Sequence, residues 1–164
     1  MLTAQLIAKI IQTVMSLDDG QVWIYNQRRA IPNSKGLFVI VGMVDATPYA
    51  VNLRNTGTTD EFRYVQLKET ISIDLLSYDL TAPQRLPELL GALHSTYGEQ
   101  IQEQYGFKLA SNPMSVLNTS EVEGSSMIHR FTVTTTVLRG YDNTSPIEYY
   151  DTFTQETLTE EGIA

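Results

Sequence analysis

Two segments of the sequence contain residue types that could support metal-dependent chemistry. Asp45 follows a long apolar run, and Gln66-Leu67-Lys68 lies in a later alternating segment. Metal-dependent nucleases use carboxylates to hold Mg²⁺ and a lysine to stabilise developing charge. Here Gln66 stands where a second carboxylate is required, and Lys68 also fits the polar side of a strand. A nuclease is therefore an alternative hypothesis, which Mg²⁺-dependent DNA cleavage that is lost in Lys68→Ala would support.

The remaining candidate side chains predict structural roles. The sequence contains no GxxxxGK[ST], GxSxG, GxGxxG or HExxH motif. Its two histidines, His94 and His129, are far apart in sequence, and each lies beside an apolar row. Trp23 is expected to anchor the core. With no cysteine, the chain has no disulfide, thiolate nucleophile or sulfur metal site. We therefore predict a protein that is not an enzyme and needs no metal or cofactor.

Composition limits the class of protein further. A chain of 164 residues with 42% hydrophobic residues can bury one core as a single domain. The 11 basic and 19 acidic residues give a net charge of −8, which argues against tight DNA binding because that binding depends on Lys and Arg. No apolar run approaches the ~20 residues that cross a bilayer. Lys9 interrupts the first apolar segment, so neither a signal peptide nor a membrane partner is expected.

The strongest structural signal is a strand that leads into a helix between Tyr64 and Leu93. Apolar residues alternate with polar ones from Val65 to Leu75, as in a strand with one buried and one wet face, and only Glu69 breaks the apolar row. A strand over 63–79 would exceed the usual length of ~20 Å in such a domain. Either a bulge breaks this strand, or its first half projects as a hairpin arm.

Two helices are predicted. Apolar residues at helical spacing from Leu2 to Leu17 indicate the first helix, which ends at Asp18-Asp19-Gly20. Thr81 and Gln84 have the spacing of a capping box at the start of the second helix. An apolar stripe then continues, and this second helix is expected to extend through Gln104 and close at Gly106.

Several strands complete the predicted sheet. A short strand at Val22 to Tyr25 precedes a polar loop, and Leu37 to Asp45 is expected to be a central strand covered on both sides. A separate alternating strand is predicted after Thr47-Pro48 over 49–55, followed by a polar tip. A broken strand and a polar loop are expected over 107–126. The strict alternation over 127–140 predicts the final long strand.

The C-terminal segment has a different composition. The last 25 positions contain six acidic residues and no basic residue, so most of the net charge lies there. Their aromatic residues could add a strand to a sheet edge, either of the same chain or of another subunit. We predict an α+β fold with one domain at 1–142 and an acidic, aromatic-containing arm at 143–164. The antiparallel or mixed sheet is expected to have about four to five strands flanked by two helices, with a projecting hairpin.

Four stretches together resemble the neck-terminator or tail-terminator proteins of tailed bacteriophages. The segment YNQRRAIPNSKGLFVIVGM is similar to the family's Asn-Gln segment, Pro-containing loop and strand, and ETISIDLLSYD to its central strand. NTSEVEGSSMIHRFTVTTTV is similar to its loop and polar-aromatic strand, and IEYYDTF to its closing tail. The resemblance covers about the whole chain. Pro87, inside the second predicted helix, departs from the family pattern.

The resemblance implies a structural protein of the virion, made in the host cytoplasm and located at the phage neck. Family members form a ring of six subunits that ends the tail tube, joins it to the head-side connector and leaves a channel for DNA. The implied partners are the tail tube protein and a head completion or adaptor protein, and DNA would pass without sequence-specific binding. Another head-tail joining or tail-completion protein is the alternative of the same class.

Ring formation needs two different patches on each subunit. The predicted hairpin and C-terminal arm could supply them. The candidate hairpin residues are Arg54, Thr58, Asp60, Glu61 and Arg63. The candidate residues of the C-terminal arm are Ile147, Tyr149, Tyr150 and Phe153.

Overall fold

The computed structural model describes residues 1–25, 36–55, 60–110, 114–123 and 126–146. Within these ranges the chain forms three helices and seven strands. Their bounds are α1 (Thr3–Val14), β1 (Val22–Ile24), β2 (Phe38–Asn55), β3 (Asp60–Ser77), α2 (Thr81–Leu93), α3 (Thr96–Tyr105), β4 (Phe107–Leu109), β5 (Ser115–Asn118), β6 (Glu121–Glu123) and β7 (Ser126–Pro146).

The sheet has the order β1-β2-β3-β7-β4. The pair β1–β2 is parallel and the other pairs are antiparallel, so the sheet is mixed and the predicted α+β class is confirmed. The described strands outnumber the prediction because β5 and β6 also pair with β7, outside the main order. The predicted polar loop before the final strand therefore contains β6, which forms a hairpin with β7.

Three long strands dominate the sheet. β3 pairs with β7 in unbroken register from Asp60 opposite Pro146 to Ser77 opposite His129, so no bulge breaks this ladder. The irregularities lie in β2, where the register shifts between Met43 and Asp45 and again between Pro48 and Ala50. The prediction of two separate strands on either side of Thr47-Pro48 was wrong, because the bulges absorb the extra residues within one strand.

The helices cover one face of the sheet. The apolar face predicted for α1 is confirmed, since Leu6, Ile7, Ile10 and Ile11 are fully buried. They pack in one cluster with buried residues of β2, β3, β7 and both later helices. The final strand begins at Ser126 and continues to Pro146. The first four residues of the predicted C-terminal arm therefore belong to β7.

The second predicted helix is two helices. The side chain of Ser95 accepts a hydrogen bond from the Gly98 N–H at 3.1 Å, and Ser95 has extended backbone angles. Ser95 is therefore the N-cap of α3 and separates it from α2, and α3 closes at Gly106 as predicted. The predicted capping box at Thr81 was also wrong. The carboxylate of Asp79 accepts from the Thr81 N–H, and Ser77 Oγ accepts from the next N–H of α2.

A smaller apolar cluster lies on the other face of the sheet. Trp23, Phe38 and Leu76 are buried there, and the rings of Trp23 and Phe38 are 5.5 Å apart, so the predicted core role of Trp23 is confirmed. The strand over 37–45 is covered on both sides only at its start. Met43 is 55% exposed and Val44 is 68% exposed, at the first register shift of β2.

Candidate functional site

The three long strands continue past the helices and form what we call the arm. The arm consists of Val51–Asn55 in β2, 60–65 in β3 and 141–146 in β7. Val51 and Tyr141 both lie opposite Val65, so the three strands enter the arm at one level. Five or six residues at ~3.3 Å each give the arm a length of about 17–20 Å. None of its described side chains is buried.

A cluster of hydrogen bonds holds the start of α1 against the base of the arm. Arg139 lies two rows before the arm, and its Nη1 donates to the Met1 carbonyl oxygen at 3.1 Å and to Thr3 Oγ1 at 3.0 Å. The guanidinium carbon of Arg139 also lies 4.9 Å from the centre of the Tyr141 ring. These contacts fix the level at which the helical layer ends and the arm begins.

Glu69 is part of the same cluster and is only 3% exposed. Its Oε1 accepts a hydrogen bond from the Tyr141 hydroxyl at 2.7 Å, while Oε2 is buried without a donor among the described residues. Burial raises the pKa of the Tyr141 hydroxyl above its ordinary value, and the hydrogen bond to Glu69 raises it further. A buried carboxylate with an unsatisfied oxygen is costly, so the Tyr141 bond is needed to keep Glu69 inside.

The opposite face of the arm's base is closed by an aromatic ring over a glycine. A methyl carbon placed on Gly140 would lie 2.5 Å from the Tyr64 hydroxyl oxygen and 2.9 Å from its ring. Gln66 Nε2 donates to that hydroxyl at 2.9 Å. Gly140 therefore provides the space in which the ring crosses from β3 to β7.

The predicted hairpin residues lie on the arm or at its tip. Arg63 is exposed, opposite Leu53 and Asn143. Arg54, Asp60 and Glu61 belong to the strands of the arm by their backbone. Thr58 lies outside the described residues, as do the four predicted residues of the C-terminal arm, Ile147, Tyr149, Tyr150 and Phe153. The roles proposed for all nine residues remain predictions.

A groove of about 390 Å³ lies on the face of the sheet that the helices leave open. At its floor Asp74 accepts hydrogen bonds from Arg130 Nη2 and Thr132 Oγ1, both at 2.6 Å. Asp74 is one of the polar residues of the β3 alternation, whose face was predicted to be wet; for Asp74 that prediction was wrong, since the residue is 6% exposed and β7 supplies its partners. The nearby ring of Tyr25 lies over Gly42 on the wall of the groove.

Asp45 and Lys68, the charged residues of the nuclease hypothesis, lie two rows apart on the β2–β3 ladder. Asp45 is opposite Thr70 and Lys68 is opposite Thr47, whose hydroxyl donates to Asp45 at 3.2 Å. Within the described ranges, no three His, Cys, Asp or Glu side chains come together as metal ligands. Among the same residues, no helix has the length and apolar character needed to cross a membrane.

Sequence reasoning did not identify the residues that shape the base of the arm and the wall of the groove. Glu69 gave a signal, because a single acidic residue in an alternating apolar row must either face solvent or find a buried donor. Gly42 and Gly140 gave a weaker signal, as glycines inside strand patterns. The partners Tyr25 and Tyr64 could not be assigned, because the contacts depend on strand register.

These features define an α+β domain with a mixed sheet and a projecting three-stranded arm. Searches found no matching family model and no matching curated protein. Among solved structures, the chain is similar to the sheath/tube terminator in the extended state from the cryo-EM structure of an extracellular contractile injection system, PVC. The TM-score is 0.36 and the identity 13%, over 96% of this chain and 65% of that one. A likeness this distant assigns no assembly or partner.

Proposed function

We propose that this chain is a structural subunit of a tailed-phage neck. Copies close into a ring, with six subunits as in the family that the sequence resembles, and the ring ends the tail tube and joins it to the head-side connector. The ring leaves a channel for DNA. Its partners are the tail tube protein and a head completion or adaptor protein, and it acts without catalysis. The chain would be made in the host cytoplasm and remain in the virion.

The arm is the observation that carries this proposal. The three strands continue about 17–20 Å beyond the helices, and none of their described side chains is buried. These strands therefore add no described side chain to the buried core of their own domain. Extended strands of this kind bind other chains through their backbone edges and exposed apolar residues. Val51 is 65% exposed and Tyr141 is 38% exposed at the base of the arm. The arm therefore supports a role in assembly.

The charge of the chain is compatible with a channel that DNA crosses. A net charge of −8 leaves few cations to neutralise phosphates, and repeated copies multiply the repulsion. DNA could then pass through the ring without being held by it. We therefore expect no detectable binding of duplex DNA even at low salt, where attraction by cationic side chains would be strongest.

Removing either predicted interface tests the proposal. In one variant, residues 53–63 are replaced by Asn-Gly, a two-residue turn that joins the opposed residues Asn52 and Tyr64. This change removes all five predicted hairpin residues. A second variant ends after Pro146 and removes Ile147, Tyr149, Tyr150 and Phe153. Both changes retain all the described core residues, so circular dichroism should report a folded protein.

Native mass spectrometry then measures assembly, with purified tail tubes added in parallel samples. The wild-type chain should give one closed copy number, alone or on the tube, and each shortened variant should remain monomeric. Val122→Ala is the control, because Val122 is exposed to 76% on β6, outside the arm. Ring formation that is unchanged in both shortened variants would refute the assigned interfaces. A monomer that cleaves DNA with Mg²⁺ would favour the nuclease instead.

Imaging of intact particles separates the terminator from another joining protein. A terminator lies at the last ring of the tail tube, whereas a head-tail joining protein lies on the head side of that ring. A position away from the neck would refute both.

A further inference from the structure

The arm has two open backbone edges. β1 pairs with β2 only as far as Val41, and β4 pairs with β7 only from Val137 to Arg139. Beyond those residues, the outer edges of β2 and β7 have no strand partner within the described part of the chain. Unpaired edges are templates for another strand, and natural proteins cover or disrupt edges that must not pair.

The edge of β2 is disrupted along its first part only. Both register shifts of this strand fall between Met43 and Ala50, and Pro48 lies in the same stretch. Bulges and proline are the features that prevent edge-to-edge pairing. The following five residues, Val51–Asn55, contain no register shift and no proline. The part of the β2 edge that remains able to pair is therefore confined to the arm.

The open part of the β7 edge lies at the same level. Val51 and Tyr141 are both opposite Val65, and Asn55 and Ser145 are both opposite Glu61. Each edge thus offers five residues, and the two edges lie on opposite sides of the same three strands. Such a pair of different, complementary edges suits head-to-tail contact between copies.

We infer that the β7 edge of each arm, Tyr141–Ser145, pairs with the β2 edge, Val51–Asn55, of the next copy in the ring. This inference rests on the proposed function and specifies its interface. The occupant of each open edge is a second copy of this chain. The exposed side chains of Val51 and Tyr141 lie on the same face of the sheet, so the contact would bring apolar surfaces of two copies together.

The topology fixes the direction of this pairing. β2 and β7 are each antiparallel to β3, so they run the same way. All copies in a closed ring point the same way along its axis, and the strands that meet between copies are therefore parallel. A ring joined in this manner is a closed barrel of three strands per copy, in which no arm edge stays open.

Cysteine cross-linking tests the inference, because the natural chain contains no cysteine. Val51→Cys is combined in turn with Tyr141→Cys, Asn143→Cys and Ser145→Cys. Three partners are needed because strands in a barrel tilt, which staggers the register between neighbours. Within one chain, β3 separates the two edges by about 10 Å, which exceeds the Cα separation of about 7 Å that a disulfide can span. A disulfide therefore has to join two copies.

Oxidation of the assembled ring should give a ladder of covalent multiples of 18.4 kDa on a denaturing gel, for at least one of the three pairs. Thr47→Cys combined with Leu138→Cys is the matched control. These two residues are also at one level, both opposite Lys68, but β4 covers β7 at Leu138. This control pair should give no ladder.

The other outcomes separate this inference from the proposed function. A ring that forms without any of the three cross-links overturns the interface and leaves the ring proposal standing. Dimers formed by Val51→Cys alone indicate a two-fold contact and overturn both. A ladder that appears only when the chain ends at Pro146 shows that the segment 147–164 occupies an edge in the full chain, and overturns the inference. A monomer at the highest soluble concentration and on added tubes overturns both.

Discussion

Replacement of Gly42 by alanine should destabilise the fold through one identifiable contact. A methyl carbon on Gly42 would lie 2.6 Å from Tyr25 Cβ and 3.0 Å from its Cγ. Tyr25 Cβ is bonded directly to the backbone, so no side-chain rotation can relieve its overlap with the added methyl carbon. The segment after β1 would have to move away from β2, which would strain the 2.8 Å hydrogen bond from the Tyr25 N–H to the Val41 carbonyl oxygen.

The expected magnitude combines three effects. Overpacking of this kind costs about 1–3 kcal/mol. A weakened hydrogen bond adds up to ~1 kcal/mol. The lower backbone entropy of unfolded alanine returns about 0.4–1 kcal/mol. At their middle values these effects lower the free energy of unfolding by about 2 kcal/mol, because the overlap outweighs the entropic gain.

Urea unfolding followed by Trp23 fluorescence measures this change, since Trp23 is the one tryptophan and is buried. Protein concentration is kept constant because assembly contributes to apparent stability. Tyr25→Ala should not rescue Gly42→Ala, as alanine retains the offending Cβ. Tyr25→Gly should rescue it. An equal cost of Gly42→Ala in the wild-type and Tyr25→Gly backgrounds would refute the assigned contact.

Gly140 provides an internal comparison. A methyl carbon there would meet the hydroxyl end and ring of Tyr64, which can rotate away at the expense of its hydrogen bond with Gln66. Gly140→Ala should therefore cost less than Gly42→Ala, and Tyr64→Ala should remove the cost. Alanine at Tyr64 should thus restore the stability of Gly140→Ala, whereas alanine at Tyr25 should not restore that of Gly42→Ala.

The remaining predictions concern polar side chains that hydrogen bond to buried residues. Tyr141→Phe should cost about 1–3 kcal/mol of unfolding free energy by leaving Glu69 without its described donor, and less in a Glu69→Gln background. Folding raises the pKa of Tyr141 above its unfolded value of about 10. The stabilisation that this hydroxyl provides is therefore full below a pH of about 10 and is lost as pH rises through the folded pKa. The wild-type chain should accordingly lose stability at high pH more steeply than Tyr141→Phe. Arg130→Ala should lower the free energy of unfolding by about 1–3 kcal/mol, because it removes the ion pair of buried Asp74. Asp74→Asn should recover part of that loss. An equal effect of Arg130→Ala in the wild-type and Asp74→Asn backgrounds would exclude the ion pair as the cause. Ser95→Ala should cost about 1 kcal/mol by removing the N-cap of α3, while Ser95→Asp should retain stability; both can be measured by urea unfolding.

Local patterns predicted those elements whose burial follows a regular period. The apolar face of α1 and the alternation of β3 and β7 are visible in sequence because burial on one side repeats every 3.6 or 2 residues. Ser95 was overlooked because the apolar stripe continues across it, and a cap depends on one hydrogen bond to Gly98. Asp74 was misplaced because its burial is made possible by Arg130, 56 residues away.

The projecting arm was only one of two interpretations of an overlong strand. Sequence length alone could not distinguish a bulge in β3 from a continuous strand, because both contain the same residues. The choice follows from pairing with β7, whose unbroken register carries β3 out to Asp60. The third strand of the arm was also missed, since the composition changes within β7 and suggested that the strand ended near Gly140.

The sequence by itself determined the composition and the main elements of the fold. These are an acidic, cysteine-free α+β domain, two long alternating strands and an amphipathic first helix. Those properties follow from composition and local periodicity, which need no knowledge of distant contacts. Tertiary structure alone decided which edges stay open, which carboxylates are buried and where glycines admit a ring. These depend on the register between strands that are far apart in the chain, and register is set by the packing of the whole sheet.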